Sequence, residues 1–152
     1  MLITFAFLAT ARVHLASLRD TQTSGQTAQA AQLANDLAER MRVNFRNTAA
    51  YTASAAPTSA IAACNTTSGC SATDMASNDL SEWNAELVSR LPNGRGIVCR
   101  DSSPSDGASP ASAACTGGAT DPIAVKIWWN LRDEVAGIAS VQRQTLAFVP
   151  RP

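Results

Sequence analysis

The sequence is poor in the groups that carry chemistry. It has a single histidine, His14, lying in the apolar N-terminal stretch. A Ser-His-Asp triad elsewhere in the chain would therefore have no imidazole base. Neither a Walker pattern nor a dinucleotide-binding glycine fingerprint occurs, and Ser105-Asp106-Gly107 is a turn signal rather than a phosphate cradle. Asp101, Asp106 and Asp121 fall in loops, where aspartates more often close turns and cap backbone amides than pair for acid-base work. Formal charge is zero, with 12 basic and 12 acidic residues, and the basic side chains are spread thinly. Nucleic acid is not an expected partner, because displacing phosphate counterions takes clustered Lys and Arg. No catalytic residue, cofactor site or metal site is assigned, and the chain is expected not to be an enzyme.

An apolar run of about 20 residues, the length needed to span a bilayer, is also missing. Leu2 to Ala11 is apolar, but Arg12 and His14 interrupt it. A signal peptide would carry a basic n-region, which is absent, although Ala9-Thr10-Ala11 imitates a cleavage site. The reading that remains is a longer hydrophobic helix entered partway along at Met1. From Ile3 to Phe45 there is no proline and one glycine, Gly25, while Val13, Leu15, Leu18, Leu33, Leu37, Met41 and Phe45 recur at helical spacing. This predicts one continuous helix, about 60 Å long at 1.5 Å per residue. Its middle, "DTQTSGQTAQ", is polar all round, so the helix serves two environments. Leu8, Val13, Leu15 and Leu18 are expected to pack in a membrane or helical bundle, and Leu33, Leu37, Met41 and Phe45 against the protein's own core. Asp36, Glu39, Arg40 and Arg42 surround the second stripe and read as a solvated face with local ion pairs.

Beyond the helix stand four cysteines: Cys64, Cys70, Cys99 and Cys115. An even count in Ser/Ala/Gly-rich loops fits a disulfide framework formed in an oxidising compartment. Zinc would want close C-x(2 to 4)-C pairs or added histidines, and the spacings here are C-x5-C and C-x15-C. Four cysteines allow three pairings. The sequential one, Cys64 with Cys70 and Cys99 with Cys115, is favoured because each bridge then pins one flexible loop. Closing a loop of about 15 residues in this way stabilises by roughly 3 kcal/mol.

Residues 47 to 79 read as an irregular Ser/Thr/Ala-rich connector, and Asn65-Thr66-Thr67 matches a glycosylation sequon too short to carry weight. A short amphipathic helix is predicted over 79–91, with a polar cap at Ser77 to Asp79, core-facing Trp83 and Leu87, and a Pro92-Asn93-Gly94 stop. Residues 96–100 are strand-like, 102–122 form a long Ser/Pro/Gly loop, and 123–131 with 140–149 read as a hairpin across "RDEVAG". In the first hairpin strand Ile123, Val125, Ile127 and Trp129 share one face, and Lys126 and Trp128 the other. One tryptophan is expected to seal the helix-sheet core, and the other to cover the outer face or a partner. The expected units are 1–50, the N-terminal helix, and 51–152, a globular head.

"SLR" at 17–19, "AQLANDLAERMRVN" at 31–44, "VCRD" at 98–101 and "VKIWW" at 125–129 together resemble the type IV pilins, and within them the minor pilins of the PilV kind. The resemblance runs through most of the chain and its composite is specific. It implies an α+β fold: a long N-terminal helix packed on a small antiparallel sheet with disulfide-pinned loops. It further implies a structural subunit that helps initiate pilus assembly and sits at the filament tip. The partners it implies are other minor pilins, the major pilin, the inner-membrane assembly platform and a tip adhesin, with the inner membrane engaged through the N-terminal helix and the head in the periplasm. "MLITFAFLATARVHLASLR" is similar to the second half of the pilin membrane segment. The family's basic leader, Gly-Phe cleavage site and early Glu have no counterpart in this sequence, so a truncated start is expected and no processing residue is carried over. A type II secretion pseudopilin is the nearest rival. A periplasmic module for DNA uptake or peptidoglycan binding is a more distant one.

Overall fold

The structure is a computed structural model that describes residues 2–52, 59–132 and 139–148. Helix α1 runs from Leu2 to Val43 without interruption, as the proline-free stretch predicts. Arg40 and Arg42 in its last turn face the negative end of the helix dipole, a favourable placement for cations. At Asn44 the backbone leaves helical geometry and a 3-10 turn follows over Phe45–Asn47. That early stop corrects the expectation for Phe45. The helical progression ends two residues before it, so its ring leaves the stripe and is 42% exposed. The Arg46 guanidinium lies 5.6 Å from its centroid.

A five-residue helix α2, Thr48–Thr52, and a 3-10 turn, Ala62–Asn65, lie within the connector. Helix α3 spans Ala72–Arg90 and so begins well before the predicted 79. Its cap is Ser71 rather than Ser77 to Asp79: the Ser71 hydroxyl accepts a hydrogen bond from the Asp74 amide at 3.1 Å, and Asp74 puts an acidic group in the first turn. Pattern reading missed this because 72–78 contains few large apolar residues. The helix ends where Leu91 leaves α geometry, and Asn93 turns the chain at φ 53°. A Cβ on Gly94 would come within 2.2 Å of the Leu87 carbonyl oxygen, so the turn presses directly on the helix end.

Three antiparallel strands, β1 (Arg95–Arg100), β2 (Ile123–Arg132) and β3 (Ala139–Phe148), form one sheet in the order β1-β2-β3. The predicted turn is "RDEVAG", residues 132–137; Arg132 ends β2, and the rest of the turn lies outside the described residues. Register pairs β1 with β2 through Val98 opposite Val125 and Ile97 opposite Lys126, and β2 with β3 through Trp128 opposite Arg143. On the inner face Ile123, Val125, Ile127 and Trp129 meet Leu33, Leu37 and Met41 of α1, Trp83 and Leu87 of α3, and Tyr51 of α2 in a single core. Ala30, Ala34 and Ala38 are buried on the same side of α1. Their small side chains let the helix backbone approach its neighbours closely. This is the pilin-like α+β arrangement that the resemblance implies, with two disulfides pinning the loops.

Trp83 ties the layers together. Its indole Nε1–H donates to the Leu33 carbonyl of α1 at 3.0 Å, while its ring packs over β1 at Gly96. A Cβ on Gly96 would lie 2.2 Å from Trp83 Cη2 and 2.7 Å from Leu87 Cδ1, both buried and unable to retreat. Gly96→Ala is therefore expected to destabilise the fold by about 1–3 kcal/mol through overpacking. Urea unfolding measures this, and an unchanged midpoint would show that the indole does not sit on β1.

Candidate functional site

Two faces of this molecule have something to act on: the N-terminal rod, and the head that holds it. From His14 to Gln29 no described side chain of α1 is buried, and Ala30 is the first that is. Leu18 is 66% exposed on that rod. Leu8, Val13 and Leu15 lie on the same helix, and their side chains are outside the described residues. Leu33, Leu37 and Met41, by contrast, join Trp83, Leu87 and Trp129 in the core. The rod thus changes from naked to clamped over about one turn.

The clamp has a polar side that helix periodicity alone does not reveal. Arg40 reaches from α1 to α3, with Nη1 2.8 Å from Glu82 and 3.4 Å from Asp79, and Nη2 3.7 Å from Glu86. Its Nε meets Asp36 of its own helix at 3.1 Å. Burial alone would weaken the Arg40 charge, but the hydrogen bond to Glu82 and the field of Asp36 outweigh it and hold the guanidinium above its ordinary range. The same bond from Arg40 holds the Glu82 carboxyl below the usual carboxylate range, opposed by partial burial and helped by Asn78. Behind it, Tyr51 donates its hydroxyl proton to Asp79 Oδ2 at 2.6 Å. Burial first, and then that hydrogen bond, push the phenol above its ordinary value. These contacts fix the crossing of α1 and α3 and hence the direction in which the rod leaves the head. Sequence reading placed Arg40 on a solvated face. Its i,i+4 partner Asp36 was visible there, but its partners on α3, about forty residues away, were not.

Over β2 the outer face of the sheet is closed by the chain itself. Cys99 and Cys115 are bridged, as are Cys64 and Cys70. The first bridge closes the loop 100–114, which folds back over β2. Lys126, fully buried, donates from Nζ to the carbonyl oxygens of Ala113 at 2.7 Å and Asp106 at 3.1 Å, and to Asp106 Oδ1 at 3.0 Å. Its Nζ also lies against Oδ2 of Asp101, itself fully buried. Arg143 of β3 donates to the carbonyl oxygens of Ser105 and Gly107. Trp128 is only 2% exposed, so its place is inside this chain and not on a partner. Asp121 caps a turn, accepting from the Gly118 amide at 3.0 Å and the Thr116 hydroxyl at 2.6 Å. Cys99, Asp101 and Cys115 bring possible metal-ligand atoms within 4.8 Å of one another, but the two sulfurs are bonded to each other and are not thiolates. Sequence reasoning passed over Lys126. The available signal was a lysine in mid-strand among apolar residues.

Residues 13–81 match the family model described as Tt1218-like, Type IV pilin Tt1218. The match supports the type IV pilin family. It covers the rod from Val13, the clamped stripe of α1, the connector and the first half of α3, and stops before Glu82, Trp83 and the sheet. Comparison with curated proteins and with solved structures finds no match. Among the described residues, no helix of this pilin-like chain is long and apolar enough to cross a membrane.

The polar joint makes stability depend on pH in two opposite ways. The Tyr51 value is raised on folding, so its contribution is complete below the ordinary phenol value of about 10 and is lost as pH rises beyond it. The Glu82 value is lowered, so its contribution is present above the ordinary carboxylate range and is lost as pH falls through the lowered value. Tyr51 is the one tyrosine of the chain, so absorbance titration reads its phenol directly. Its ionisation should be displaced upward in the folded chain and return to normal in urea. Tyr51→Phe should flatten the alkaline limb of the stability profile and Glu82→Gln the acid limb.

Proposed function

We propose that this chain is a minor pilin of the PilV kind, a non-enzymatic structural subunit of a type IV pilus that takes part in starting assembly and stands at or near the filament tip. The observation that carries this reading is the rod over 14–29, none of whose described side chains is buried, leading without a break into the stripe clamped by the head. Such a helix leaves Leu18 unburied within its own fold, and an apolar side chain so placed is covered by other helices or by lipid. The apolar residues from Leu2 to Leu18 would pack among sister helices in the filament and in the inner membrane before assembly. The polar segment between them would pass through the filament wall, while the head contacts neighbouring heads in the periplasm and outside the cell. Partners on this reading are the other minor pilins, the major pilin, the inner-membrane assembly platform and a tip adhesin.

Leu18→Asp tests it in the producing cell. A carboxylate in an apolar helix bundle is costly, so the variant should disappear from sheared pili while the purified chain melts at the wild-type temperature. Wild-type chain absent from sheared pili but recovered with a protein-export machine would assign it to a secretion pseudopilus. Leu18→Asp incorporated as well as wild type would remove the helix-packing mechanism.

A further inference from the structure

We propose that Lys126 and Asp101 form a covalent modification site, in which the amine of one and the carboxyl of the other condense spontaneously to an intramolecular isopeptide bond. Both residues have no exposed surface, and Nζ lies against Oδ2 of Asp101. No other donor reaches Oδ2, so the amine is its one polar neighbour. The other carboxyl oxygen, Oδ1, accepts from the Ser103 amide at 3.0 Å. The two oxygens are thus prepared differently: a backbone donor holds the one that stays, and the one that leaves faces the amine alone. A second carboxyl group is at hand, with Asp106 Oδ1 3.0 Å from the same nitrogen. Two backbone carbonyls, Ala113 at 2.7 Å and Asp106 at 3.1 Å, take N–H bonds from Nζ. A neutral amine has two N–H groups and one lone pair; with the Ala113 and Asp106 oxygens at hand to accept the two N–H bonds, the lone pair is free for Asp101.

The steps balance without an outside reactant. A buried ion pair forfeits the hydration of both ions, and passing one proton from Nζ to Oδ2 leaves an amine beside a carboxylic acid. The amine lone pair then bonds to Cγ, and the oxyanion that develops at Oδ1 is stabilised by the Ser103 N–H, as preorganised backbone donors stabilise acyl-transfer intermediates. A second proton leaves Nζ through the Asp106 carboxylate and reaches Oδ2. The Cγ–Oδ2 bond breaks and Oδ2 departs as water. The nitrogen goes from three hydrogens to one, the carboxyl group loses one oxygen, and nothing is oxidised or reduced. Holding amine and carboxyl in contact supplies the effective concentration that the same groups lack in solution. The Asp106 side chain is 44% exposed, which gives the departing water a way out. The product is a strap from the end of β1 to the middle of β2, parallel to the Cys99–Cys115 bridge but immune to reductants.

Mass spectrometry of the full chain with its disulfides reduced decides the matter and does not depend on the pilin reading. The expected mass is one water below that of the sequence, and trypsin should leave Lys126 uncleaved. A protease that cuts the loop between residues 101 and 126 should leave two fragments joined. Lys126 is the one lysine of the chain, so an amine-reactive label applied in denaturant should modify the N-terminus alone. Lys126→Arg keeps the cation, removes the nucleophile and should restore the full mass. Asp106→Asn should slow the loss of water. Full mass in the folded wild type, or labelling of its Lys126 after unfolding, overturns the proposal. So does a water loss that maps to Asp106-Gly107 or persists in Lys126→Arg. Should Lys126→Arg fail to fold, the joined fragments of the wild type still decide.

Discussion

Burial of β2 on both faces is the constraint from which the rest of the head follows. An isolated three-stranded sheet has two surfaces to cover, and here different parts of the chain cover them. On the inner side, Ile123, Val125, Ile127 and Trp129 face the stripe of α1 and the indole of Trp83. On the outer side Ala124, Lys126 and Trp128 are all buried, and a disulfide-closed loop lies over Lys126. The two covers work by different physics. The helical one is apolar and contributes transfer free energy in proportion to area, with each large side chain worth roughly 2–5 kcal/mol against truncation to alanine. The loop has few apolar side chains, so it is tied by a bridge, by a buried cation and by backbone carbonyls. A cation with several well-placed oxygen acceptors makes a specific anchor even where its net contribution to stability is small.

The same division explains how the rod is held. Among the described side chains from His14 to Gln29 none is buried, and from Ala30 the helix is part of the core. Alanines at 30, 34 and 38 share the buried side with Leu33, Leu37 and Met41. Close approach then brings Arg40 within reach of three carboxylates on α3, and Asp79 within reach of Tyr51. Apolar contact sets the distance between the helices and the charged joint sets their angle. For a subunit whose proposed work is to insert one end of a helix among others, that angle determines where the head stands in the filament.

How far the sequence could be read depended on the range of the interaction. Period 3.6 without proline announced α1, and period 2 announced β2 and its two-faced division, because both are local consequences of backbone geometry. The turn aspartates were legible for the same reason: the Asp121 carboxylate reaches back only to Gly118 and Thr116. Phe45 was misplaced by two residues of helix end, where fraying and 3-10 geometry defeat periodicity. The start of α3 was misplaced because Ser71 and Asp74 cap a first turn that lacks large apolar residues. Arg40, Tyr51 and Lys126 could not have been paired with their partners from sequence, since each contact bridges residues far apart in the chain.

Chemistry and pattern along the chain thus determined the uninterrupted helix, its division into apolar, polar and striped thirds, the strands, and a cysteine set suited to sequential bridges. Backbone propensity and side-chain periodicity act over a few residues, so they survive in the one-dimensional record. Tertiary structure alone decided which side of β2 a helix covers and which a loop, that Trp128 is sealed by its own chain, and that a solitary buried lysine meets two aspartates. Those outcomes depend on which distant surfaces compete for the same burial, and that competition is settled only when the chain closes on itself.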